Sequence, residues 1–201
     1  MKRMAIFISG RGSNMENIVR QVKRGKIRAE AGLVFSDKPG APGLKKAKAF
    51  GVETAGLERS AFESKELFEK AILEILKSRR IDFIVLAGYM KIVGPVLIRA
   101  YPGKILNIHP ALLPSFKGAH AIRDAFDYGS RVTGVTVHFV DEQVDHGPII
   151  LQEAVTIGLR DRLPAVEKKI HAAEYRLYPR AIELLVSGKL KIKGRKVLIR
   201  S

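Results

Sequence analysis

The sequence contains no cysteine and no tryptophan in 201 residues. Without cysteine there is no disulfide framework, no thiolate-bearing zinc site and no thiol nucleophile, and cysteine usage leaves the redox compartment open. No stretch approaches the ~18 consecutive apolar residues of a membrane-spanning helix. The apolar run from Met4 to Ile8, behind Lys2 and Arg3, is too short for a secretory leader and ends in Ser9-Gly10. A cytoplasmic protein is expected. Linkers rich in proline and serine, low-complexity tracts and internal repeats are also missing, so the chain reads as one domain, 1–201, long enough to bury a core without staples.

Acidic residues are scarce. Asp and Glu number 20 against 36 Lys and Arg, a formal net charge of +16, which favours anionic partners such as phosphate esters, polyglutamates or nucleic acid. Nucleic-acid surfaces usually interleave clustered basic residues with aromatics, whereas aromatics here are only 7% and the basic residues are scattered. The densest basic run, Lys189 to Arg200, reads as a solvated face. Neither a specific nucleic acid nor a membrane is expected as partner.

What is present is an alternation of strand and helix patterns. Met4 to Ile8 is a short strand with a glycine-rich turn after it, and Ser13 to about Arg24 has helical spacing, with Met15, Ile18, Val19 and Val22 on one side. Leu33-Val34-Phe35 reads as a strand, Leu44 to Phe50 as a helix, Phe62 to Lys77 as an amphipathic helix and Phe83 to Ala87 as a fully buried strand. A short helix after Gly94-Pro95, a strand from Lys104 to Ile108 and a helix from Ala121 to Tyr128 follow. The character then changes to two extended segments, around Val135 to Phe139 and Ile149 to Thr156, suited to antiparallel pairing. A long helix, Leu163 to Val186, and a hairpin around Gly194 close the chain. The fold class expected is α/β: a mostly parallel twisted sheet flanked by helices, Rossmann-like, with an antiparallel part near the C-terminal third and ligands at the carboxyl ends of the strands.

Three motifs carry chemistry. Ser9-Gly10-Arg11-Gly12-Ser13-Asn14 matches neither the dinucleotide fingerprint nor the P-loop. Its glycines nonetheless let backbone amides approach an anion at a helix N-terminus, and Ser13 to Glu16 fits a capping box. A phosphate site and an ordinary tight turn both fit. In Leu106-Asn107-Ile108-His109-Pro110, strand alternation puts Asn107 and His109 on one face, an amide donor beside an imidazole, which suits a developing oxyanion. In Asp145-His146-Gly147-Pro148, the carboxylate could orient that imidazole or could be simple turn chemistry. The remaining histidines, His120, His138, His146 and His171, show no metal-ligand spacing, and no metal is expected.

Taken in order, Ile8 to Asn14, Ala87 to Ile92, Leu106 to Pro110 with Leu113-Pro114, and Val137 to Val140 with Asp145 to Pro148 resemble the phosphoribosylglycinamide formyltransferase family over nearly the whole length. The resemblance implies a formyltransferase-type α/β domain, with a phosphate-binding half, 1–100, and a catalytic and folate-binding half, 101–201. It implies 10-formyltetrahydrofolate as co-substrate and formyl donor, 5-phosphoribosylglycinamide as acceptor, and a monomer or homodimer. Asn107, His109 and Asp145 fall on the family's catalytic triplet. Gly12, Ser13, Asn14 and Glu174 fall on acceptor contacts, and Lys65, Met90, Lys91, Ile92, Val93 and Asn107 on folate contacts. The chain departs from the family pattern at Lys65, often Arg, at Arg11, at His146, often a small residue, and at Tyr175, often His. The alternatives are other formyltetrahydrofolate users, a methionyl-tRNA formyltransferase or a formyltetrahydrofolate hydrolase, both expected to carry a further domain.

Overall fold

The computed structural model describes residues 1–200. It divides into two compact units, residues 1–106 and residues 107 onward.

The first unit is built on parallel strands: β1 (Lys2–Ile8), β2 (Ala29–Ser36), β3 (Thr54–Gly56) and β4 (Phe83–Leu86) lie in the order β3-β2-β1-β4. β1 is central, and every side chain from Met4 to Ile8 is fully buried, as a strand covered on both faces requires. Between the strands run α1 (Ser13–Lys23), α2 (Pro42–Ala49), α3 (Lys65–Ser78) and α4 (Pro95–Ala100). α1 turns Met15, Ile18 and Val19 inward at helical spacing, each stabilising the fold by about 1.5–3 kcal/mol. Ser64 caps α3 by accepting the Leu67 N–H at 3.1 Å. β3 is a three-residue strand that hydrophobic periodicity leaves invisible.

The capping box expected at Ser13 does not form. Gly12 sits in the left-handed region, φ 69°, and is itself the N-cap, so Ser13 is the first helical residue and no side chain caps the helix. Glycine is needed there twice over: its φ favours a residue without Cβ, and a Cβ would lie 3.1 Å from the Gly43 Cα. The start of α2 presses on the loop, Gly43 N–H donating to the Gly10 carbonyl at 3.0 Å. Glu16, the other half of the expected box, pairs with Arg20 and Lys46 instead.

Strand β5 (Ile105–His109) leads into the second unit, which contains α5 (Ala121–Asp127), β6 (Val132–Phe139), β7 (Ile149–Thr156), α6 (Leu163–Val186), β8 (Leu190–Lys193) and β9 (Lys196–Ile199). β6 and β7 are antiparallel, with a bulge between Val137 and His138, and β8 and β9 form the closing hairpin, joined to β7 at the Ile149–Lys196 pair. α6 packs on β6, β7 and α5 through Val166, Ile170, Ala173, Leu177, Ala181 and Ile182. The Thr and His residues that alternate with Val along β6 are buried too, so polar groups there need partners within the fold. No helix among the described residues is long and apolar enough to cross a membrane.

Candidate functional site

The second unit gathers the amide, imidazole and carboxylate that the sequence places apart. Asn107 and His109 end β5 two residues apart, and His109 is buried. The turn between β6 and β7 returns Asp145 to them, with its Oδ2 3.3 Å from His109 Nδ1 and its Oδ1 3.4 Å from Asn107 Nδ2. Asp145 Oδ2 also accepts the Gly118 N–H at 2.9 Å. The turn's path is constrained: Asp145 itself has φ 48°, and a Cβ on Gly147 would lie 1.9 Å from the Phe139 carbonyl oxygen. Only glycine lets the turn close against the end of β6.

His109 lies between two acceptors, the Asp145 carboxylate on Nδ1 and the Phe116 carbonyl, 2.7 Å from Nε2. The imidazolium has an N–H for each, so this geometry suits the charged ring.

His138, which the sequence offers without a role, is the fourth member. Its Nδ1–H donates to its neighbour's carbonyl, Phe139 O, at 2.7 Å, leaving Nε2 to accept from Asn107 Nδ2 at 3.2 Å. Burial lowers the His138 pKa below its ordinary value, outweighing the Phe139 carbonyl and Asp145, which act the other way. The ring is therefore the neutral Nδ1–H tautomer that Asn107 needs. The only signal in sequence is a histidine inside a Val- and Phe-rich strand. Because the unfolded chain protonates His138 near pH 6.5 and the folded one only below that, the stability it contributes is complete above that pH and is lost as pH falls from there toward the folded value. Urea denaturation at about pH 7.5 and about pH 5.5 should show a larger loss for the wild type than for His138→Gln, which keeps an acceptor and does not titrate.

Behind these groups, Thr136 Oγ1 donates to Ala111 O at 2.7 Å and accepts from Leu113 N and Gln152 Nε2. Gln152 Nε2 also reaches Leu113 O at 3.0 Å. The segment after Pro110 is thus fixed by side chains of β6 and β7. Glu174, expected at the acceptor, is buried on α6 with His171 Nδ1 2.9 Å from its carboxylate.

In the first unit, Ser9 joins three elements. Its Oγ donates to Asp37 Oδ1 at 2.5 Å and accepts the Met90 N–H at 2.8 Å. The glycine loop is thereby tied to the turn beyond β4. Asn14 is buried and Ser13 exposed at the start of α1, where the helix end favours an anion. Lys65 and the distant run Met90, Lys91, Ile92 and Val93 line one cavity of about 310 Å³. Arg59, Phe68, Glu69, Tyr89 and Leu97 complete its wall, and none of these five was assigned a binding role from sequence, although Tyr89 lies in the Ala87–Ile92 motif. Glu69 is buried and accepts the Gly94 N–H at 2.5 Å, holding the end of the Met90–Val93 turn. Burial, with Asp37 and Glu69 nearby, pushes the Tyr89 phenol far above its usual range, so it remains a neutral donor. No cluster of three or more His, Asp or Glu side chains placed to hold a metal occurs among the described residues.

A family model described as formyl transferase matches residues 2–182. The chain is 44% identical to the phosphoribosylglycinamide formyltransferase of Bacillus subtilis, over 98% of this chain and all of that one. It is 40% identical to the trifunctional purine biosynthetic protein adenosine-3 of Gallus gallus over 94% of its own length, spanning 19% of that larger protein. The crystal structure of glycinamide ribonucleotide transformylase 1 from Symbiobacterium toebii superposes with a TM-score of 0.97 at 41% identity, covering all of this chain and 95% of that one. The chain belongs to the formyl transferase family, among the phosphoribosylglycinamide formyltransferases.

Proposed function

We propose that this protein transfers the formyl group of 10-formyltetrahydrofolate to the amine of 5-phosphoribosylglycinamide, a step of de novo purine synthesis carried out in the cytoplasm on small-molecule substrates. The observation that carries the site assignment is the convergence of Asn107, His109 and Asp145 at the carboxyl end of β5. The chain acts as one formyltransferase domain, with the phosphate loop in the half before residue 100 and the formyl chemistry in the half after it.

The acceptor's neutral amine attacks the formyl carbon, and the carbonyl π pair moves onto oxygen. That oxygen, gaining a full charge, is a better acceptor than the neutral Phe116 carbonyl, and so takes over the Nε2–H of His109. Asn107 supplies a second donor from Nδ2, giving up its 3.4 Å contact to Asp145 while keeping His138. Because these bonds strengthen only as charge develops, they lower the barrier rather than tighten ground-state binding. Collapse of the tetrahedral adduct breaks the bond to the folate nitrogen, which receives the proton lost by the amine through water held near Asp145. Gly12, Ser13 and Asn14 hold the acceptor's phosphate, Glu174 contacts its glycinamide end, and the cavity of Lys65 and Met90–Val93 holds the folate.

The test offers the ribonucleotide, water alone and initiator methionyl-tRNA as acceptors in parallel. Turnover is expected with the ribonucleotide alone, and Asp145→Asn should cut kcat by about 10²-fold, near the low end for a group in general acid–base work. Transfer to tRNA, or hydrolysis without an acceptor, would replace the acceptor assignment. Undiminished turnover in Asp145→Asn would remove the carboxylate from the mechanism.

A further inference from the structure

The turn that carries Asp145 is gripped from the closing hairpin. Arg195, in the turn between β8 and β9, donates from Nη2 to the His146 carbonyl at 2.8 Å and sets Nη1 against the His146 ring, 2.9 Å from Nε2 and 3.4 Å from Nδ1. The Asp141 carboxylate facing Nδ1 only accepts, so the ring carries a proton on Nδ1. That proton is directed at Asp141 Oδ2, 2.7 Å away. Asp141 in turn closes its own loop, Oδ1 accepting the Gln143 N–H at 3.1 Å. Arginine, imidazole and carboxylate form a chain in which each group fixes the orientation of the next, and it spans the turn from its first residues to the one after Asp145.

The placement has three features that a surface ion pair lacks. The guanidinium grips main chain and ring of one residue through two nitrogens, the planar fork that lysine cannot reproduce. The residue it grips is the immediate neighbour of Asp145, whose left-handed φ of 48° is held only where surrounding contacts over-determine it. And Arg195 precedes Lys196, the residue through which the hairpin registers on β7 opposite Ile149, so the hairpin is anchored at the point where it reaches the turn. The hairpin lies beyond residue 182, where the match to the family model ends.

We infer that Arg195, acting through His146 and Asp141, is a positioning residue for Asp145, and that the C-terminal hairpin is part of the machinery of formyl transfer. This rests on the reading of Asp145 as part of that machinery. The contacts Asp145 makes to His109 and Asn107 are long, 3.3 and 3.4 Å, so a small displacement of the turn separates the groups altogether. A misplacement of about 1 Å can cost a reaction about 10²-fold.

The experiment is a kinetic cycle on the full-length protein: wild type, Arg195→Ala, Arg195→Lys, Asp145→Asn and the double variant Arg195→Ala/Asp145→Asn. Arg195→Ala should lose about 10-fold to 10²-fold in kcat with KM for both substrates changed less than about twofold. Arg195→Lys should fall between, and guanidinium added to Arg195→Ala should restore part of the rate. In the Asp145→Asn background the arginine substitution should cost almost nothing further, because residues acting as one unit are not additive. An equal loss in both backgrounds would show that Arg195 acts elsewhere or only on folding, and would overturn the inference, as would full activity in Arg195→Ala. Full activity in Asp145→Asn would overturn the reading beneath it, and is told apart by that single variant.

Discussion

His109→Ala is expected to lower kcat by about 10³–10⁴-fold, at the upper end of what a positioned acid–base group contributes, while the protein stays folded. The ring joins two functions. In the proposed mechanism its Nε2–H, which faces the Phe116 carbonyl, is the donor the developing oxyanion takes, and its Nδ1, 3.3 Å from Asp145 Oδ2, couples that donor to the carboxylate. Alanine removes both at once and leaves water to fill the site, which restores neither charge nor direction. The structural cost is bounded: one donor to the Phe116 carbonyl is lost and a buried space opens, together a few kcal/mol against a typical fold stability of about 5–15 kcal/mol. Thermal unfolding followed alongside the kinetics separates the two effects. A variant with an unchanged transition and more than about a tenth of wild-type kcat would place the proton transfer and oxyanion stabilisation elsewhere, since a positioned acid–base group typically contributes about 10²–10⁴-fold.

How much of this site could be read from the chain depends on the range over which each contact acts. Asn107 and His109 were legible because two residues of a strand share a face whatever the rest of the fold does. Asp145 read from its own segment as either an orienting carboxylate or simple turn chemistry, and only the family resemblance joined it to the other two. Its arrival depends on the bulge at Val137–His138, on its own left-handed φ and on a glycine that no side chain could replace, none of which has a periodic signature. His138 had only a weak local signal, a histidine inside an apolar strand: its role comes from a 31-residue separation from Asn107, and its neutrality from burial that only the packed fold supplies. The capping box failed for the opposite reason. Ser13 and Glu16 have the right spacing, but Gly12 can adopt a conformation serine avoids, and so the helix starts one residue early. Strand and helix patterns were legible where apolar periodicity ran long, as in α3 and α6, and silent for the three residues of β3. The cavity of the first unit, proposed to hold the folate, is the intermediate case. Lys65 and Met90–Val93 were reached through the family resemblance, and Tyr89 lies in the same motif, whereas Arg59 and Glu69, which share the wall, carry no spacing that would associate them.

Asn107 offers the sharper test of how the donors are arranged, because its amide can be inverted without changing its shape. Nδ2 has two hydrogens and two acceptors, His138 Nε2 and Asp145 Oδ1. Asn107→Ala removes the donor and should lower kcat by about 10²–10³-fold, the cost of deleting an oxyanion donor, with little change in KM, since the bond forms only as charge develops. Asn107→Asp is nearly isosteric yet should be worse than alanine. It replaces the NH₂ by oxygen, sets a carboxylate against Asp145 and turns an acceptor toward the lone pair of His138. Like charges held this close do not both ionise, so one carboxyl takes up a proton or His138 does. The variant's rate should then rise as pH falls, where the wild type's does not, because the introduced carboxyl regains one donor when it is protonated. Steady-state kinetics of the two variants across pH check this directly. If aspartate proved as active as asparagine near neutral pH, the oxyanion would have to be held by His109 alone, and the amide beside it would serve only to orient His138.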